Sequence, residues 1–183
     1  RDVLGSRGLG DVYKRQGMVG AKLYYPDDTI QHAGVVVGLG GVAAHVLCKL
    51  PRDAEGYMGR LRCVQEISAV TAACMMVKTS VFKAVGGFDE ELKVAFNDID
   101  LCMKVRKYGV KIVFTPYAEL YHYESKSRGM EDTPEKQLRF SREVNCFRRK
   151  WERELLKGDP YYNPNLTLNN TDCSLRKQEK NGD

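Results

Sequence analysis

The sequence lacks the signatures of several common protein classes. Its six cysteines include no C-x-x-C pair, so there is no sign of a zinc ribbon or a disulfide framework. No apolar run approaches the roughly 20 residues that a membrane-spanning helix needs. The G-x-S-x-G, H-E-x-x-H and G-x-x-x-x-G-K-[ST] motifs are absent. Scattered cysteines within apolar runs are typical of free thiols and predict a reducing, cytoplasmic setting.

Composition and charge are those of an ordinary globular protein. The chain has 183 residues, 43% hydrophobic and 29% charged, which is enough for one domain with a sizeable core. The net charge of +5 is modest, and the densest basic cluster, residues 148–150, alternates with glutamates. We interpret it as a solvated helix face, with phosphorylated sugars or a peripheral membrane contact as alternative partners. No recognition module accompanies the charge, so no nucleic-acid partner is expected.

Hydrophobic patterning predicts several short strands. They fall at residues 18–25, 30–37, 69–77, 110–114 and 119–123. The run 69–77 is small and apolar throughout, which favours a strand buried on both faces. Residues 38–59 are rich in glycine and predict a long loop, a feature that is usually functional in a compact domain.

Helices are predicted between and after these strands. A short helix, capped by Thr79 or Ser80, extends to Ala84, and a second helix covers residues 97–108. Thr133-Pro134 begins a long amphipathic helix. Its apolar face is predicted to contain Phe140, Val144, Phe147, Trp151 and Leu155. An irregular, mostly extended tail follows from residue 158, and the mixture of elements predicts an α/β fold.

The strongest chemical candidate in the sequence is the acidic string N-D-I-D at the start of the second helix. If Asn97 is the N-cap, Asp100 is placed to reach back to the Asn97 backbone, as in a capping box. Asp98 would project beyond the helix end, where an ionised carboxylate aimed into a cleft suits a general base. On spacing alone, a helix-end role and a catalytic role are both open for Asp98.

Three histidines are further candidates. His122 closes a predicted strand and enters a polar loop, where it is either a metal ligand or phosphate contact, or else a hydrogen-bonded surface residue. His32 falls within a predicted strand, which favours a structural role. His45 lies in the glycine-rich loop, and the sequence assigns it no role.

The order of several motifs resembles a known family. T-A-A, G-G-F-D-E, N-D-x-D-L and a strand ending in His122 follow one another within residues 68–129. This set is similar to the second half of family 2 glycosyltransferases of the GT-A fold, in particular a rhamnosyltransferase-like bacterial subgroup. The resemblance covers nearly everything from Gly17 onward.

The resemblance implies specific roles for the site residues. Asp98 is expected to deprotonate the acceptor hydroxyl, which gives inversion at the anomeric carbon. A divalent Mn or Mg ion is expected at the donor diphosphate, with His122 as the metal-binding residue and Lys126 and Arg128 as phosphate contacts. The residues implied on the acceptor side are Thr71, Ala72, Gly87, Asp89 and Asp100.

The resemblance also implies a division of the chain. Residues 1–16 are interpreted as a non-native leader resembling translated sequencing-adapter read-through, and residues 17–130 as the C-terminal half of the GT-A domain. Residues 131–183 are expected to form the helix and tail. Because the family's nucleotide-binding half and its Asp-x-Asp motif are absent ahead of Gly17, the fragment itself is expected to lack transferase activity.

The implied function is sugar transfer in the synthesis of cell-surface polysaccharide. The expected partners are a nucleotide-sugar donor and a glycan or lipid-linked acceptor, and the expected place is the cytoplasm or the inner face of the membrane. The alternative is a non-catalytic carbohydrate-binding or scaffold module that retains the fold.

Overall fold

The computed structural model describes residues 16–123 and 133–177, which form a mixed α/β structure. The strands are β1 (Gln16–Tyr24), β2 (Ile30–His32), β3 (Val35–Val37), β4 (Ala43–His45), β5 (Gln65–Glu66), β6 (Met75–Val77) and β7 (Lys111–Tyr121). The α-helices are α1 (Thr79–Ala84), α2 (Asn97–Lys107), α3 (Pro134–Lys150) and α4 (Glu152–Lys157). Short 3₁₀ helices lie at Leu39–Gly41, Tyr57–Arg62 and Ala72–Cys74.

Strand β1 lies at the centre of a five-stranded sheet. It pairs in parallel with β7 and antiparallel with β2 and β6, while β5 pairs antiparallel with β7. Strands β3 and β4 form a separate two-stranded sheet. Because β1 and β7 are parallel, their carboxyl ends meet at one edge, where open α/β sheets usually bind ligands.

One hydrophobic cluster joins the sheet to the helices and the C-terminal segment. Helix α2 buries Leu101, Cys102 and Val105, and Phe147 of α3 is also fully buried. The segment after residue 158 is irregular, as predicted, yet its buried side chains Tyr162, Leu166 and Cys173 belong to the same cluster. The segment packs into the core because removing its apolar side chains from water is energetically favourable.

Several predicted strands differ from those observed. Prediction of one strand at residues 30–37 was wrong, because Gly34 has φ +106 and separates β2 from β3. Prediction of a doubly buried strand at residues 69–77 was wrong as well. Only Met75–Val77 forms a strand, and Met76 is 73% exposed. The Thr71 hydroxyl accepts a hydrogen bond from the Ala73 N–H and caps the 3₁₀ helix Ala72–Cys74 that follows it.

Two further differences concern the predicted loop and the last strands. The glycine-rich loop contains β4, which pairs with β3. The two strands predicted on either side of Thr115-Pro116 form the single strand β7, with an irregular register where Ala21 faces Thr115 and Lys22 faces Glu119. A bulge in β7 accommodates the intervening residues and keeps both halves paired with β1.

Helix boundaries were predicted more closely than strands. Thr133 caps α3 through a hydrogen bond from the Lys136 N–H, as Thr-Pro predicts. The predicted long helix, however, is divided at Trp151, whose φ of −115 separates α3 from α4. The predicted hydroxyl cap of α1 is not observed, since Lys78 occupies that position without a side-chain cap. None of the described helices is long and apolar enough to span a membrane.

Glu143 of α3 holds the segment that precedes α2. Its buried carboxylate accepts hydrogen bonds from the backbone N–H groups of Lys93 (3.1 Å), Val94 (3.2 Å) and Ala95 (2.8 Å). Backbone N–H groups of a loop need such partners when they are removed from water. Helix α3 therefore fixes the approach of the chain to the N-D-I-D string.

Replacing Glu143 with Ala is expected to lower the free energy of unfolding by about 2–4 kcal/mol, because it leaves three backbone donors without their acceptor. Urea denaturation followed by circular dichroism measures the change. Gln137→Ala, at an exposed polar position of the same helix, is the matched control. Equal stability of the two variants would contradict the role of Glu143.

Candidate functional site

A small cavity of about 100 Å³ lies next to the carboxyl ends of β1 and β7. Its lining residues are Tyr25, Gln31, His45, Thr71 and His122. The backbone places His122 here, because its N–H donates to the Tyr24 carbonyl at 2.9 Å directly after β7 ends. Two imidazoles, a phenol, an amide and a hydroxyl therefore meet at the sheet edge where ligand binding is expected.

Gln31 orients His122 through two contacts. Its amide Nε2 donates to the His122 carbonyl at 3.4 Å, and its Oε1 lies 2.8 Å from His122 Nδ1. With the amide in this orientation, Nδ1 must carry the ring proton and donate it to Oε1. The lone pair of neutral His122 is then on Nε2.

His32 and His45 form a second contact beside the cavity. His32 is fully buried, and its Nδ1 lies 2.8 Å from Nδ1 of the half-buried His45, with the rings nearly perpendicular. Burial, followed by the nearby His45, lowers the pKa of His32 well below its usual value. Its Nε2 lies 3.5 Å from the Thr71 N–H, a long contact in which the nitrogen is the acceptor. The structural role predicted for His32 fits this burial.

Asp98 lies beside Thr71, at the start of α2. Its Oδ2 accepts a hydrogen bond from the Ala72 N–H at 3.0 Å, and its Oδ1 accepts one from the Ile99 N–H at 2.9 Å. The helix begins at Asn97, as predicted, but the N-cap position is Phe96 rather than Asn97. The Asn97 side chain accepts a hydrogen bond from the Asp98 N–H at 2.7 Å. Asp98 is thus half-buried next to the backbone of the T-A-A string, whose first residue, Thr71, lines the cavity.

Asp100 faces the protein interior. Its side chain is fully buried and accepts a hydrogen bond from Trp151 Nε1 at 2.8 Å. It also forms ion pairs with Lys104 at 3.1 Å and Lys150 at 2.8 Å. The predicted capping contact with Asn97 is replaced by these partners, and the buried carboxylate offers an acceptor sugar no exposed oxygen.

Asp89 and Gly87 belong to the turn that follows α1. Asp89 forms an ion pair with Lys150, and this hydrogen bond holds the pKa of Asp89 below its usual value. Gly87 is buried with φ +65, and a Cβ there would lie 3.1 Å from the Phe82 ring. Lys150 therefore links Asp89 and Asp100, so both carboxylates stabilise the packing of α3 against α2 and this turn.

The predicted phosphate contacts Lys126 and Arg128 lie outside the described residues. Within residues 16–123 and 133–177, no three His, Cys, Asp or Glu side chains come close enough to hold a metal ion together.

A larger cleft of about 370 Å³ lies near the amino end of β7, away from these residues. Three of its polar groups bind one another, since Glu66 pairs with Lys111 and accepts from the Tyr161 hydroxyl at 3.2 Å. Arg106 donates to the nearby Ser68 at 3.0 Å. The smaller cavity is chemically the better candidate, because it combines His122 and Thr71 with the adjoining Asp98.

The sequence missed part of this constellation. Gln31 and Tyr25 were not identified, and His45 received no role, although all three line the cavity. The string Q-H-A-G contains Gln31 and His32 and is the one local signal. His45 reaches the site only through the β3–β4 pairing, in which it faces Val35, and nothing in the loop sequence predicts that register.

Comparison with known proteins gives relatives over most of the chain. It is 59% identical over 160 residues to the uncharacterized protein y4gI of Sinorhizobium fredii, which is 87% of this chain and 18% of the relative. It is 39% identical over 168 residues to the O-antigen biosynthesis protein RfbC of Myxococcus xanthus, 91% of this chain and 13% of that protein. The second of these relatives is named for O-antigen biosynthesis.

A shorter match is to a protein that is named as an enzyme. The chain is 36% identical over 62 residues to the N-acetylglucosaminyl-diphospho-decaprenol L-rhamnosyltransferase of Mycobacterium tuberculosis, 34% of this chain and 20% of that enzyme. No family model matches the chain, and no solved structure matches it significantly. The chain spans less than a fifth of the length of the first two relatives.

Proposed function

We propose that this chain forms the acceptor side of a glycosyltransferase of family 2, with a GT-A fold, that acts in the synthesis of cell-surface polysaccharide. The proposed enzyme moves a sugar from a nucleotide-sugar donor to a glycan or lipid-linked acceptor. The observation that carries the proposal is the hydrogen bond from the Ala72 N–H to Asp98, one residue after Thr71, which lines the cavity together with His122. The names of two relatives, O-antigen biosynthesis and rhamnosyltransferase, support the same reaction class.

In the proposed mechanism Asp98 is the general base. Each carboxylate oxygen accepts one backbone N–H and keeps a further lone pair, so the group is held in place and can still accept a proton. The acceptor hydroxyl transfers its proton to Asp98 as its oxygen attacks the anomeric carbon. The bond from that carbon to the diphosphate breaks, the diphosphate leaves with the electron pair, and the configuration inverts.

The backbone around Thr71 and Ala72 is the proposed floor of the acceptor site. Ala72 is exposed, and its small side chain leaves room for a sugar ring next to the Asp98 carboxylate. Holding the hydroxyl in line with the anomeric carbon is as important as the base, because orientation supplies much of the rate enhancement.

In the proposed enzyme a divalent Mn or Mg ion would contact His122 and be held chiefly by phosphates and water. Such ions are usually bound by few protein groups together with substrate phosphates. Because His122 Nδ1 donates its proton to Gln31 Oε1, the lone pair on Nε2 is available to a metal. Metal-binding histidines are commonly oriented in this way by a hydrogen-bond partner on the other ring nitrogen. When bound, the ion would neutralise charge on the leaving diphosphate.

Gln31→Leu is expected to weaken Mn²⁺ binding about 10- to 100-fold, because it removes the group that orients His122. Electron paramagnetic resonance of free Mn²⁺, titrated with protein in the presence of a nucleoside diphosphate, measures the affinity. His122→Ala should weaken binding at least as much, and Gln137→Ala should leave it unchanged. Unaltered binding by both site variants would remove His122 from the metal site.

The proposed function is tested on a full-length protein that contains this sequence. Release of nucleoside diphosphate is measured across a panel of nucleotide sugars, with manganese or magnesium and candidate acceptors. Acceptor-dependent release with one donor supports the proposal. A protein that is inert with every donor and still binds glycans would be a carbohydrate-binding module instead.

A further inference from the structure

Phe96, the N-cap of α2, has a backbone conformation that is unusual for an aromatic residue. Its φ of +62 and ψ of 6 lie in the left-handed region, whereas the N-caps of helices are typically extended. Residues with a Cβ are disfavoured there by crowding against the backbone, and a bulky residue keeps this conformation only where its surroundings enforce it. The contacts of Phe96 must therefore hold it in place.

The ring of Phe96 packs against two rings of α3. Its centroid lies 5.8 Å from that of Phe140 and 5.4 Å from that of Phe147, with an interplanar angle of 38° in both pairs. Phe147 is fully buried, and Phe140 is 43% exposed. Phe140, Glu143 and Phe147 are spaced three and four residues apart, so they share one face of α3. The face that binds the backbone of residues 93–95 through Glu143 thus also holds the Phe96 ring.

The backbone at Phe96 sets the direction in which α2 begins. Its carbonyl accepts the first hydrogen bond of the helix, from the Asp100 N–H at 2.8 Å. Asp98 follows two residues later, and its carboxylate accepts from the Ala72 N–H at 3.0 Å. A change of φ and ψ at Phe96 would turn the start of the helix and move the Asp98 carboxylate away from Ala72.

We propose that Phe96 is a positioning residue for Asp98. The aromatic cluster of Phe96, Phe140 and Phe147 holds the left-handed backbone at Phe96, and this backbone directs the Asp98 carboxylate toward Ala72 and the acceptor. The inference rests on the proposed function only for its effect on catalysis, since the position of Asp98 is measured without substrate. A displaced base lowers the rate because a misplacement of about 1 Å can cost about 100-fold.

The hydrogen bond between Asp98 and the Ala72 N–H is the direct readout of this position. Amide hydrogen exchange of Ala72, followed by ¹H–¹⁵N NMR on the 183-residue chain, reports how often the bond opens. Asp98→Ala, which lacks the acceptor, gives the rate of the unbonded amide. Phe96→Ala is expected to raise the Ala72 exchange rate about tenfold toward that value, because the ring contacts that hold the backbone are lost.

Two further variants separate the ring of Phe96 from other effects. Val105→Ala, at a buried position near the other end of α2, lowers stability outside the aromatic cluster and should leave Ala72 exchange within about twofold of wild type. Phe96→Gly favours φ +62 but has no ring, so Ala72 should still exchange faster than in wild type. Wild-type exchange of Ala72 in Phe96→Ala and Phe96→Gly would overturn the inference.

Phe140→Leu keeps the test decisive if Phe96→Ala does not fold. Phe140 is partly exposed, and its replacement leaves the buried Phe147 in contact with Phe96. A rise in Ala72 exchange smaller than that of Asp98→Ala is expected, because half of the ring contacts remain. An unchanged rate in the folded variant would overturn the inference as well.

The catalytic effect is measured on the full-length protein, with donor and acceptor varied separately. Phe96→Ala is expected to lower kcat about 10- to 100-fold while KM for the donor stays within about twofold, the pattern of a misplaced base. Phe96→Tyr, which keeps the ring, should restore most of the rate. Loss of kcat accompanied by an equal change in donor KM would indicate a merely structural role and would overturn the inference.

The failure of this inference is distinguishable from the failure of the proposed function. If Asp98→Asn loses turnover but Phe96→Ala keeps wild-type kcat, the positioning role is wrong and the proposed function stands. If Ala72 exchange responds as expected but Asp98→Asn keeps full turnover, the proposed base is wrong, and with it the catalytic half of this inference.

Discussion

Replacing Asp98 with Asn is expected to lower kcat for sugar transfer by about 10²- to 10⁴-fold, the usual contribution of a general base. Asn is nearly the same size, and its Oδ1 can still accept a hydrogen bond from the Ala72 N–H that binds Asp98. The neutral amide is not able to take the proton of the acceptor hydroxyl. Loss of turnover with little change in structure is therefore the expected signature.

The measurement uses the full-length protein, with initial rates taken at saturating donor and acceptor. Asp53→Asn, at an exposed carboxylate outside the site, is the matched control and should keep wild-type rates. Donor affinity of Asp98→Asn should be preserved, because the base acts on the acceptor. If turnover of Asp98→Asn stays within a factor of about three of wild type, the loss is far smaller than a general base contributes. Asp98 would then have only a structural role at the start of the helix.

Local sequence signals anticipated the elements that surround Asp98. Thr133-Pro134 predicted the start of α3, and Gly109, with φ +87, follows the end of α2 as expected for a left-handed residue. These features depend on neighbours within a few residues, so patterning suffices. The start of α2 at Asn97 was predicted as well, but its N-cap is Phe96, with φ +62, and not Asn97.

Contacts between distant segments were not predictable in the same way. The spacing of Asp100 predicted a capping box. Its carboxylate instead accepts a hydrogen bond from Trp151, which lies 51 residues further along the chain. The bulge that makes β7 continuous depends on its pairing with β1, some 95 residues earlier. His45 likewise enters the site only through strand pairing. Register and tertiary contacts overrode local propensity at each of these positions.

Replacing Asp100 with Ala is expected to lower the free energy of unfolding by about 3 kcal/mol. The buried carboxylate is the shared partner of Trp151 Nε1, Lys104 and Lys150. Burial alone lowers the pKa of Lys150, yet its hydrogen bonds to Asp100 and Asp89 raise that pKa overall, so the lysine is held in its charged form. Removing one partner of such a buried pair lowers stability by more than the net contribution of the pair, because the remaining charged groups stay buried without a partner.

Urea denaturation of Asp100→Ala, Lys150→Met and the double variant measures this network. The two lysines retain 19% and 33% exposure of their side chains, so water offsets part of the loss and the value stays below that of a fully buried pair. A coupling energy of about 1–2 kcal/mol is expected between Asp100 and Lys150. Asp53→Ala, at an exposed carboxylate, should change stability by less than about 0.5 kcal/mol. If Asp100→Ala is as stable as that control, the buried carboxylate does not hold α2 against α3.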